Sequence, residues 1–261
     1  MSKKYKNRHR ENSRQESFSY GLHSVCSVLT EESIKIISLW INQNREDQQV
    51  EKIKILAHAR GITPFFVSQK DLDTLSLGAN HQGVVIQFLT QLPATEDQLL
   101  TLLKDLTDPP FLLILDSIQD PHNLGACLRT AEAAGVHGVI APKDQAAPIT
   151  PTVRKVASGA AERVPFITVT NLTKTIDKLK DQGVWIVGAV VSEATSLYQM
   201  KLKGSIAVVL GAEGKGLRRL VQAHCDYLIS IPMCGAIGSL NVSVATGVFL
   251  FEIQRQRGYL N

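Results

Sequence analysis

Three short stretches of the sequence combine side chains that can position a ligand for chemistry. NLGACLR, at 123–129, carries an amide and, six residues on, a guanidinium. GAEGKG, at 211–216, is a glycine-rich turn that presents one carboxylate, that of Glu213. SLNVS, at 239–243, places small polar side chains between apolar ones, directly before an apolar run. A glycine turn with a carboxylate suits a ligand that carries positive charge or donor groups better than one that carries phosphates.

The first and third stretches also have a simpler interpretation. Asn123 is well placed to cap the helix that follows it, and Ser239 or Asn241 can cap the last helix. Arg129 is open to interpretation as an exposed side chain paired with Glu132 on the same helix. A cap explains one polar residue of the third stretch, but it does not explain three.

Standard nucleotide and metal motifs are absent from the sequence. The phosphate-loop pattern fails because Lys215 is followed by Gly216, and the dinucleotide pattern G-x-G-x-x-G fails because position 219 is Arg. The 4 cysteines show no C-x-x-C pairing, and the 7 histidines show no H-E-x-x-H spacing. We therefore predict no structural metal.

The three stretches lie next to predicted strands of a parallel sheet. From about residue 109 to 261, apolar strands such as FLLIL at 111–115 alternate with helices. Strands this uniformly apolar are typical of parallel sheets covered by helices on both faces. Ligands bind such sheets at the carboxyl ends of the strands, where we expect the polar stretches to lie.

Three further regions precede this domain. Residues 17–93 alternate shorter helical and extended patterns, which predicts a small α/β domain. Residues 94–108 mix a short amphipathic helix with turn residues and are predicted to be a linker. Residues 1–16 are basic and lack apolar residues that could join a core, so we expect a disordered tail that attracts phosphate or only aids solubility.

The charge distribution limits where nucleic acid could bind. The formal net charge is +4, and all of this excess lies in residues 1–16. Outside these residues the chain is neutral, so any affinity for phosphate there must come from local basic patches. The candidates are Arg154, Lys155, Arg218 and Arg219. No apolar run approaches the ~20 residues of a membrane span, and no signal peptide is evident. The sequence therefore predicts a cytoplasmic protein without membrane contact.

Taken together, the three stretches resemble a known family. NLGACLR, LGAEGKG at 210–216, and IPM at 231–233 followed by SLNVSVATG match, in order and spacing, the motifs of SpoU/TrmH RNA ribose 2′-O-methyltransferases, within the SPOUT superfamily. YGLHSV at 20–25 and HQGVV at 81–85 look like the RNA-binding domain that precedes the catalytic domain there. The closest resemblance is to the bacterial branch that methylates a guanosine of 23S rRNA.

The resemblance implies a fold and a reaction. Residues 109–261 are expected to form an α/β SPOUT domain with a parallel sheet and a deep trefoil knot, and the protein is expected to be a homodimer. The reaction implied is methyl transfer from S-adenosylmethionine to the ribose 2′-hydroxyl of a guanosine in large-subunit ribosomal RNA. The implied catalytic residues are Asn123, Arg129, Glu213, Ser239 and Asn241, and the implied cofactor contacts are Gly211, Ile231 and Leu240.

The resemblance also suggests what each side chain does. Arg129 would engage the 2′-hydroxyl or the adjacent phosphate, in an electrostatic role because a free guanidinium holds its proton tightly. Glu213 would orient that arginine or the donor, and the amides and Ser239 would fix hydroxyls and loop backbone. Backbones that cross closely in a knot would suit glycine, with Gly235, Gly238 and Gly247 as candidates.

Three other functions compete with this one. A tRNA ribose methyltransferase of the same family is the nearest, although its usual members lack the YGLHSV domain. A ribosome-binding protein without catalysis is the second, and the presence of all the expected catalytic residue types argues against it. A nucleotide-dependent oxidoreductase is the most distant because the dinucleotide pattern is missing.

Overall fold

The computed structural model describes residues 14–32, 34–91, 93–191 and 194–258. The chain divides into two compact units. The first comprises residues 1–92 together with Arg154–Glu162, and the second comprises Pro93–Val153 and Arg163–Asn261. Within the described ranges, no helix has the length and apolar character that crossing a membrane requires.

A four-stranded sheet, in the order β1-β4-β2-β3, forms the centre of the first unit as described. Strand β4 pairs antiparallel with β1 and β2, and β3 lies parallel to β2 at the edge. The strands are β1 Arg14–Tyr20, β2 Lys35–Asn42, β3 Phe65–Val67 and β4 Val84–Gln91, and the helices between them are α1 Leu22–Thr30, α2 Gln48–Ala59 and α3 Gln69–Leu75.

Alternation along β4 gives this sheet two apolar faces. Val84, Ile86 and Phe88 pack with α1 and α2, whereas Val85 packs on the opposite side with Leu72 of α3. Successive side chains of a strand point to opposite faces, so a strand covered on both sides is apolar at most positions. Gln87, in the middle of β4, is the polar exception. The small α/β unit predicted for this part of the chain has this arrangement.

The beginning of β1 corrects the expected extent of the tail. Disorder was predicted for residues 1–16, but Arg14–Glu16 already pair with Leu89–Gln91 of β4. Strand RQESFSY has polar residues at most positions and therefore carries no apolar signal of its own. Backbone pairing with an apolar strand places it in the sheet. Residues 1–13 lie outside the described residues.

The second unit contains a parallel sheet of seven strands among its described residues. The order is β7-β6-β5-β10-β8-β11-β9, and each neighbouring pair is parallel. The parallel α/β sheet predicted from the apolar strands is confirmed. The strands are β5 Phe111–Asp116, β6 Gly138–Pro142, β7 Phe166–Val169, β8 Trp185–Ala189, β9 Thr195–Ser196, β10 Ile206–Gly211 and β11 Tyr227–Ser230.

Helices accompany these strands in sequence. They are α4 Glu96–Asp105, α5 Pro121–Ala133, α6 Pro151–Ala157, α7 Ala160–Arg163, α8 Leu172–Asp181, α9 Arg219–His224 and α10 Val242–Arg257. Helices α6 and α7, most of whose residues belong to the first unit, are separated by Ser158 and Gly159, whose φ angles are 51° and 91°. The trefoil knot implied by the resemblance stays a prediction.

The stretch expected to be a linker, residues 94–108, packs with the second unit. Leu99 of α4 is 1% exposed within the apolar core of that unit. The backbone N–H of Ala94 donates to the carbonyl oxygen of Phe166 at 2.7 Å. Because α4 buries its apolar side in this core, it is part of the second unit and does not act as a linker.

Strand register brings the polar loops together. In the pairing of β5 with β10, Asp116 lies opposite Gly211 at the carboxyl ends of both strands. The loops that follow these two strands therefore start side by side. Helix α5, which follows the first of them, packs against α10, where Cys127 Sγ lies 3.3 Å from Thr246 Oγ1.

Candidate active site

Asp120 rather than Asn123 caps helix α5, which corrects the sequence-based assignment. The Asp120 side chain accepts a hydrogen bond from the backbone N–H of His122 at 3.0 Å, and Pro121 occupies the first helical turn. Aspartate followed by proline is a favourable helix start. The Asn123 side chain is consequently available for contacts outside its own helix.

The glycine-rich stretch forms a closed turn at the end of β10. The N–H of Gly216 donates to the carbonyl oxygen of Ala212 at 2.8 Å, and Gly214 and Gly216 adopt positive φ angles of 74° and 64°. Gly211 faces the returning chain so closely that a Cβ would lie 2.1 Å from the Gly216 backbone. Glycine is therefore required at Gly211 by space and at the other two positions by conformation.

Asn241 both caps the last helix and joins the other two stretches. Its Oδ1 accepts from the backbone N–H of Ser243 at 2.9 Å and so caps α10. Its Nδ2 donates to Asn123 Oδ1 at 3.0 Å and also to Glu213 Oε1. One side chain thus connects three predicted site residues that lie far apart in the sequence.

The other two predicted catalytic residues stand apart from this cluster. Arg129 is exposed on α5, and neither an ion pair nor a hydrogen bond of its side chain is found among the described residues. The alternative pairing with Glu132 is wrong, because Glu132 pairs with Arg163 at 3.4 Å. Ser239 is also exposed, but it lines the cavity described next.

A cavity of about 500 Å³, termed the first cavity, opens beside the Asn241 cluster. Its walls include all three predicted cofactor contacts, Gly211, Ile231 and Leu240. Most of the lining is apolar, with a few polar groups among it, as is usual for pockets that bind organic ligands. The remaining lining residues are Ala189, Val191, Leu210, Ala212, Glu213, Gly214, Gly216, Met233, Gly238, Ser239, Asn241, Val242 and Ala245.

A second cavity of about 570 Å³ adjoins the first. The two share Ala212, Glu213, Gly216 and Val242 in their walls, so the Glu213 carboxylate borders both. The second cavity is more polar and also includes Asn123. Its other lining residues are Ser117, Ile118, Gln119, Asp120, Gln145, Lys215 and Arg218.

Sequence reasoning missed one buried charge at this edge of the sheet. Asp116 is 0% exposed, and its carboxylate accepts from the backbone N–H of Arg218 at 2.9 Å and from Arg218 Nε at 2.6 Å. Ser117 Oγ donates to the same carboxylate at 3.2 Å. A buried carboxylate requires partners of this kind. The available signal was an acidic residue ending the otherwise apolar strand FLLILD.

Several other expectations are corrected by the side-chain environment. Arg154 is 5% exposed and forms an ion pair with Glu162, so it is not a surface patch for phosphate. A Cβ at Gly235 or Gly238 would meet nothing within 4 Å, and one at Gly247 would meet only a Thr130 methyl carbon at 3.8 Å. Close backbone approach does not explain these glycines within the chain.

Two cysteines near the site have thiols whose pKa is raised by burial, which makes them unreactive. Burial raises the pKa of the Cys127 thiol to about 11, although the hydrogen bond with Thr246 opposes this in part. Burial is also the main cause that raises the pKa of Cys225 to about 12. Both are neutral thiols near pH 7, so neither is a nucleophile. In the described part of the chain, no cluster of His, Cys, Asp and Glu could hold a metal ion.

Comparison with protein families shows which family the chain belongs to. The model of the SpoU rRNA methylase family matches residues 110–251, and the RNA 2′-O-ribose methyltransferase substrate-binding model matches residues 18–90. The chain belongs to the SpoU rRNA methylase family. The first match contains both cavities and the Asn241 cluster, and the second lies within the first unit.

Curated relatives extend this membership over most of the chain. A 23S rRNA (guanosine-2′-O-)-methyltransferase of Coxiella burnetii is 51% identical over 238 residues, which cover 91% of this chain and 95% of the relative. The enzyme of the same name from Shewanella oneidensis is 50% identical over 238 residues, covering 91% of this chain and 96% of the relative.

Solved structures agree with the family assignment. The AdoMet-bound rRNA methyltransferase from Sinorhizobium meliloti is 27% identical, with a TM-score of 0.73. The match covers 98% of this chain and 91% of that one. The fold of this chain is thus shared, over nearly its whole length, with a solved rRNA methyltransferase.

Proposed function

We propose that this protein transfers a methyl group from S-adenosylmethionine to the ribose 2′-hydroxyl of a guanosine in 23S ribosomal RNA. The observation that carries the proposal is the position of the Asn241 cluster. Asn241, Glu213 and Asn123 are hydrogen-bonded to one another, and the carboxylate of Glu213 borders both cavities. Two adjacent cavities with a common polar boundary suit a reaction between two bound molecules.

The first cavity fits the methyl donor. Its volume of about 500 Å³ lies in the range of about 300–1,000 Å³ that is usual for small-molecule sites. Leu210, Ile231 and Leu240 provide apolar surface for an adenine ring, and Glu213 provides negative charge near the bound sulfonium. S-adenosylmethionine supplies an already activated methyl group, so the protein has to orient the two reactants.

The acceptor oxygen then has to be positioned in line with that methyl group. The Glu213 carboxylate and the Asn123 amide are held by Asn241, which fixes their orientation before any substrate binds. Groups that are fixed in advance need little reorganisation during the reaction. Arg129, which is exposed and cationic, is proposed to engage the 2′-hydroxyl or its phosphate, and Ser239 to hydrogen-bond at the edge of the donor cavity.

The first unit is proposed to bind the RNA. On its sheet, Trp40 stacks between Phe18 and Phe65, with ring centroids 6.3 Å apart in both pairs. Phe65 and Phe66 are 56% and 55% exposed on the edge strand β3. Exposed aromatic rings stack on unpaired bases, and proteins recognise such bases in single-stranded RNA. Action on ribosomal RNA also supports the proposed cytoplasmic location.

A homodimer is proposed as the active form. Helix α10 exposes the apolar side chains of Val244, at 53%, and Phe251, at 40%. Burial of such side chains against a second copy would remove apolar surface from water. Light scattering after size-exclusion chromatography should give twice the chain mass of 28.6 kDa. A measured mass equal to that of a single chain, at micromolar protein concentration, would contradict this part of the proposal.

One assay tests the reaction and the substrate together. Purified protein is incubated with isotopically labelled S-adenosylmethionine and, separately, with unmodified 23S rRNA and bulk tRNA, and the RNA is then digested to nucleosides. We expect label in 2′-O-methylguanosine from the 23S rRNA only. Label from tRNA would replace the proposed substrate, and label in neither RNA, with donor binding intact, would favour a binding protein without catalysis.

A further inference from the structure

The ion pair between Asp116 and Arg218 lies directly beside the proposed site and has no part in the mechanism described so far. Arg218 follows the glycine-rich turn, and its side chain is 44% exposed, whereas that of Asp116 is 0% exposed. Two contacts fix the arginine, one through its backbone N–H and one through Nε. A flexible surface side chain is thus held in one orientation by a buried carboxylate.

This arrangement leaves the outer end of the guanidinium available. Asp116 occupies the backbone N–H and Nε, while the two terminal amino groups make no hydrogen bond or ion pair with any described residue. An arginine fixed in this way presents a rigid fork of donors that matches the geometry of a phosphate group. Arg218 lines the second cavity and also a third cavity, of about 460 Å³, next to it.

The formal charges that line the second cavity balance. Arg218 and Lys215 are cationic, and Asp120 and Glu213 are anionic. What favours an anion at Arg218 is therefore its fixed orientation and its two terminal amino groups, which contact no described residue, and not a net positive charge of the cavity. The cavity also borders Glu213, so a ribose placed there lies beside the donor cavity, as methyl transfer requires.

We propose that Arg218 binds the RNA phosphate next to the acceptor ribose, with Asp116 as the positioning residue that holds it. The inference rests on the function proposed above and names a contact that sets how the acceptor enters the site. Asp116 acts only through Arg218, since it is fully buried. The second cavity is then the place of the acceptor nucleotide, and the arginine contributes to the binding of RNA rather than of the donor.

The neighbouring residue provides a matched control. Arg219, another arginine expected to attract phosphate, carries the same charge one position further on. Of the three cavities it lines the third and not the second, and it makes no hydrogen bond with Asp116, so the structure gives it no fixed orientation at the acceptor. Arg218→Gln and Arg219→Gln therefore remove the same charge from the same segment. A contribution from general positive charge would affect both variants equally, whereas a fixed phosphate contact would affect only the first.

The test compares these variants in steady-state methyl transfer to 23S rRNA and in binding of S-adenosylhomocysteine. Arg218→Gln should raise the KM for RNA roughly tenfold to a hundredfold, which is the range for a charge-assisted contact. It should lower the slope of log KM against log salt by about 0.7, as expected for one lost phosphate contact with single-stranded RNA. The Kd of S-adenosylhomocysteine should stay unchanged, and Arg219→Gln should change the KM less than about threefold.

A second variant guards against misfolding. Loss of Arg218 alone leaves Asp116 buried with a weaker partner, so the double variant Asp116→Asn with Arg218→Gln removes both charges together. It should raise the KM as much as Arg218→Gln does, and Arg218→Lys should restore only part of the affinity because lysine lacks the Nε contact. Asp116→Asn alone should raise the KM by a smaller factor, since the arginine keeps its charge but loses its fixed orientation.

Two results would overturn the inference. One is an equal rise of KM in the Arg218 and Arg219 variants, and the other is a weaker affinity for S-adenosylhomocysteine with an unchanged KM for RNA. Absence of methyl transfer by the unmodified protein would instead contradict the proposed function. In that case, filter binding of the same RNA still compares the two arginines, and equal losses of affinity would overturn the inference independently.

Discussion

Two walls of the first cavity are built in different ways. The turn at residues 211–218 is closed by the hydrogen bond from Gly216 to Ala212 and held by Asp116 through Arg218. In the opposite wall, Met233–Leu240 are all exposed, and their side chains and backbone make no hydrogen bond with other described residues. Only Asn241, at the end of this second segment, is fixed. One wall is therefore fixed by contacts within the protein, and we expect the other to gain contacts when the donor binds.

The largest expected effect comes from disturbing the preformed wall. Gly211→Ala would place a Cβ 2.1 Å from the Gly216 backbone, which cannot move without opening the turn. Overpacking of this kind costs up to about 3 kcal/mol, which corresponds to a fall of roughly 10 °C in Tm. Affinity for S-adenosylhomocysteine should also be lost.

Gly235→Ala is the matched control in the exposed wall. A Cβ there meets nothing within 4 Å, and Gly235 is not among the residues that line the first cavity, so Tm and donor affinity should stay close to those of the unmodified protein. Thermal unfolding and calorimetric titration measure both quantities for the two variants. Similar losses in both variants would mean that the two walls do not differ in the way described.

A smaller effect on stability, but a large one on rate, is expected at Asn241. Asn241→Ala removes the cap of α10, which costs about 1 kcal/mol, and it also releases Asn123 and Glu213. Loss of a preorganised hydrogen-bond donor should lower kcat about a hundredfold. Denaturant unfolding and single-turnover transfer assays separate the two effects.

Asn241→Ser distinguishes the cap from the connection. Serine caps helices nearly as well as asparagine does, but it is too short to reach both partners. Stability should therefore return toward that of the unmodified protein, while kcat stays low. Recovery of kcat together with stability would show that Asn241 acts only as a helix cap.

The smallest expected effect is a difference in thiol labelling between the exposed wall and the buried interior. Cys234 lies exposed in the second segment, whereas Cys127 is buried beneath the site. With its pKa raised to about 11, Cys127 has only about one thiolate in a thousand at pH 8, and more as pH rises. Iodoacetamide at pH 8 should therefore modify Cys234 first, as peptide mass spectrometry can measure.

Added S-adenosylhomocysteine should slow that labelling, because Met233 next to Cys234 lines the first cavity. Cys225, whose pKa is raised to about 12, serves as the internal control and should stay unmodified in both cases. Labelling of Cys234 at the same rate with and without ligand would show that the exposed wall gains no contact on donor binding.

Much of the fold follows from local pattern, whereas the side-chain connections do not. The strands of the second unit are apolar throughout, and FLLIL at 111–115 was predicted from this alone. Strand β1 was missed because RQESFSY is polar at most positions and is held by backbone pairing with β4. Helix α5 begins at Pro121, because Asp120 precedes a proline and competes with Asn123 as a cap.

In the site too, individual residues could be predicted from the sequence, whereas most contacts between them could not. Glu213 and Asn241 were predicted from the resemblance, and the structure brings them together with Asn123. The pair of Asp116 and Arg218 spans 102 positions of sequence, and only the register of β5 with β10 creates it. No local pattern encodes such a contact. Spacing likewise suggested a pair of Arg129 with Glu132, but Glu132 pairs with Arg163 instead. The roles of the predicted site residues stay predictions.

The most direct test of the central claim removes one oxygen atom, the 2′-hydroxyl oxygen of the acceptor guanosine, from the RNA. Once the modified guanosine of 23S rRNA has been mapped, the same RNA is prepared with 2′-deoxyguanosine at that position, and transfer of labelled methyl is measured alongside RNA affinity. We predict no label at the deoxy position and an RNA Kd within about twofold of the unmodified RNA, because one hydroxyl is lost and every phosphate is kept. Label at the deoxy nucleotide would show that the protein methylates a base, and it would contradict the account.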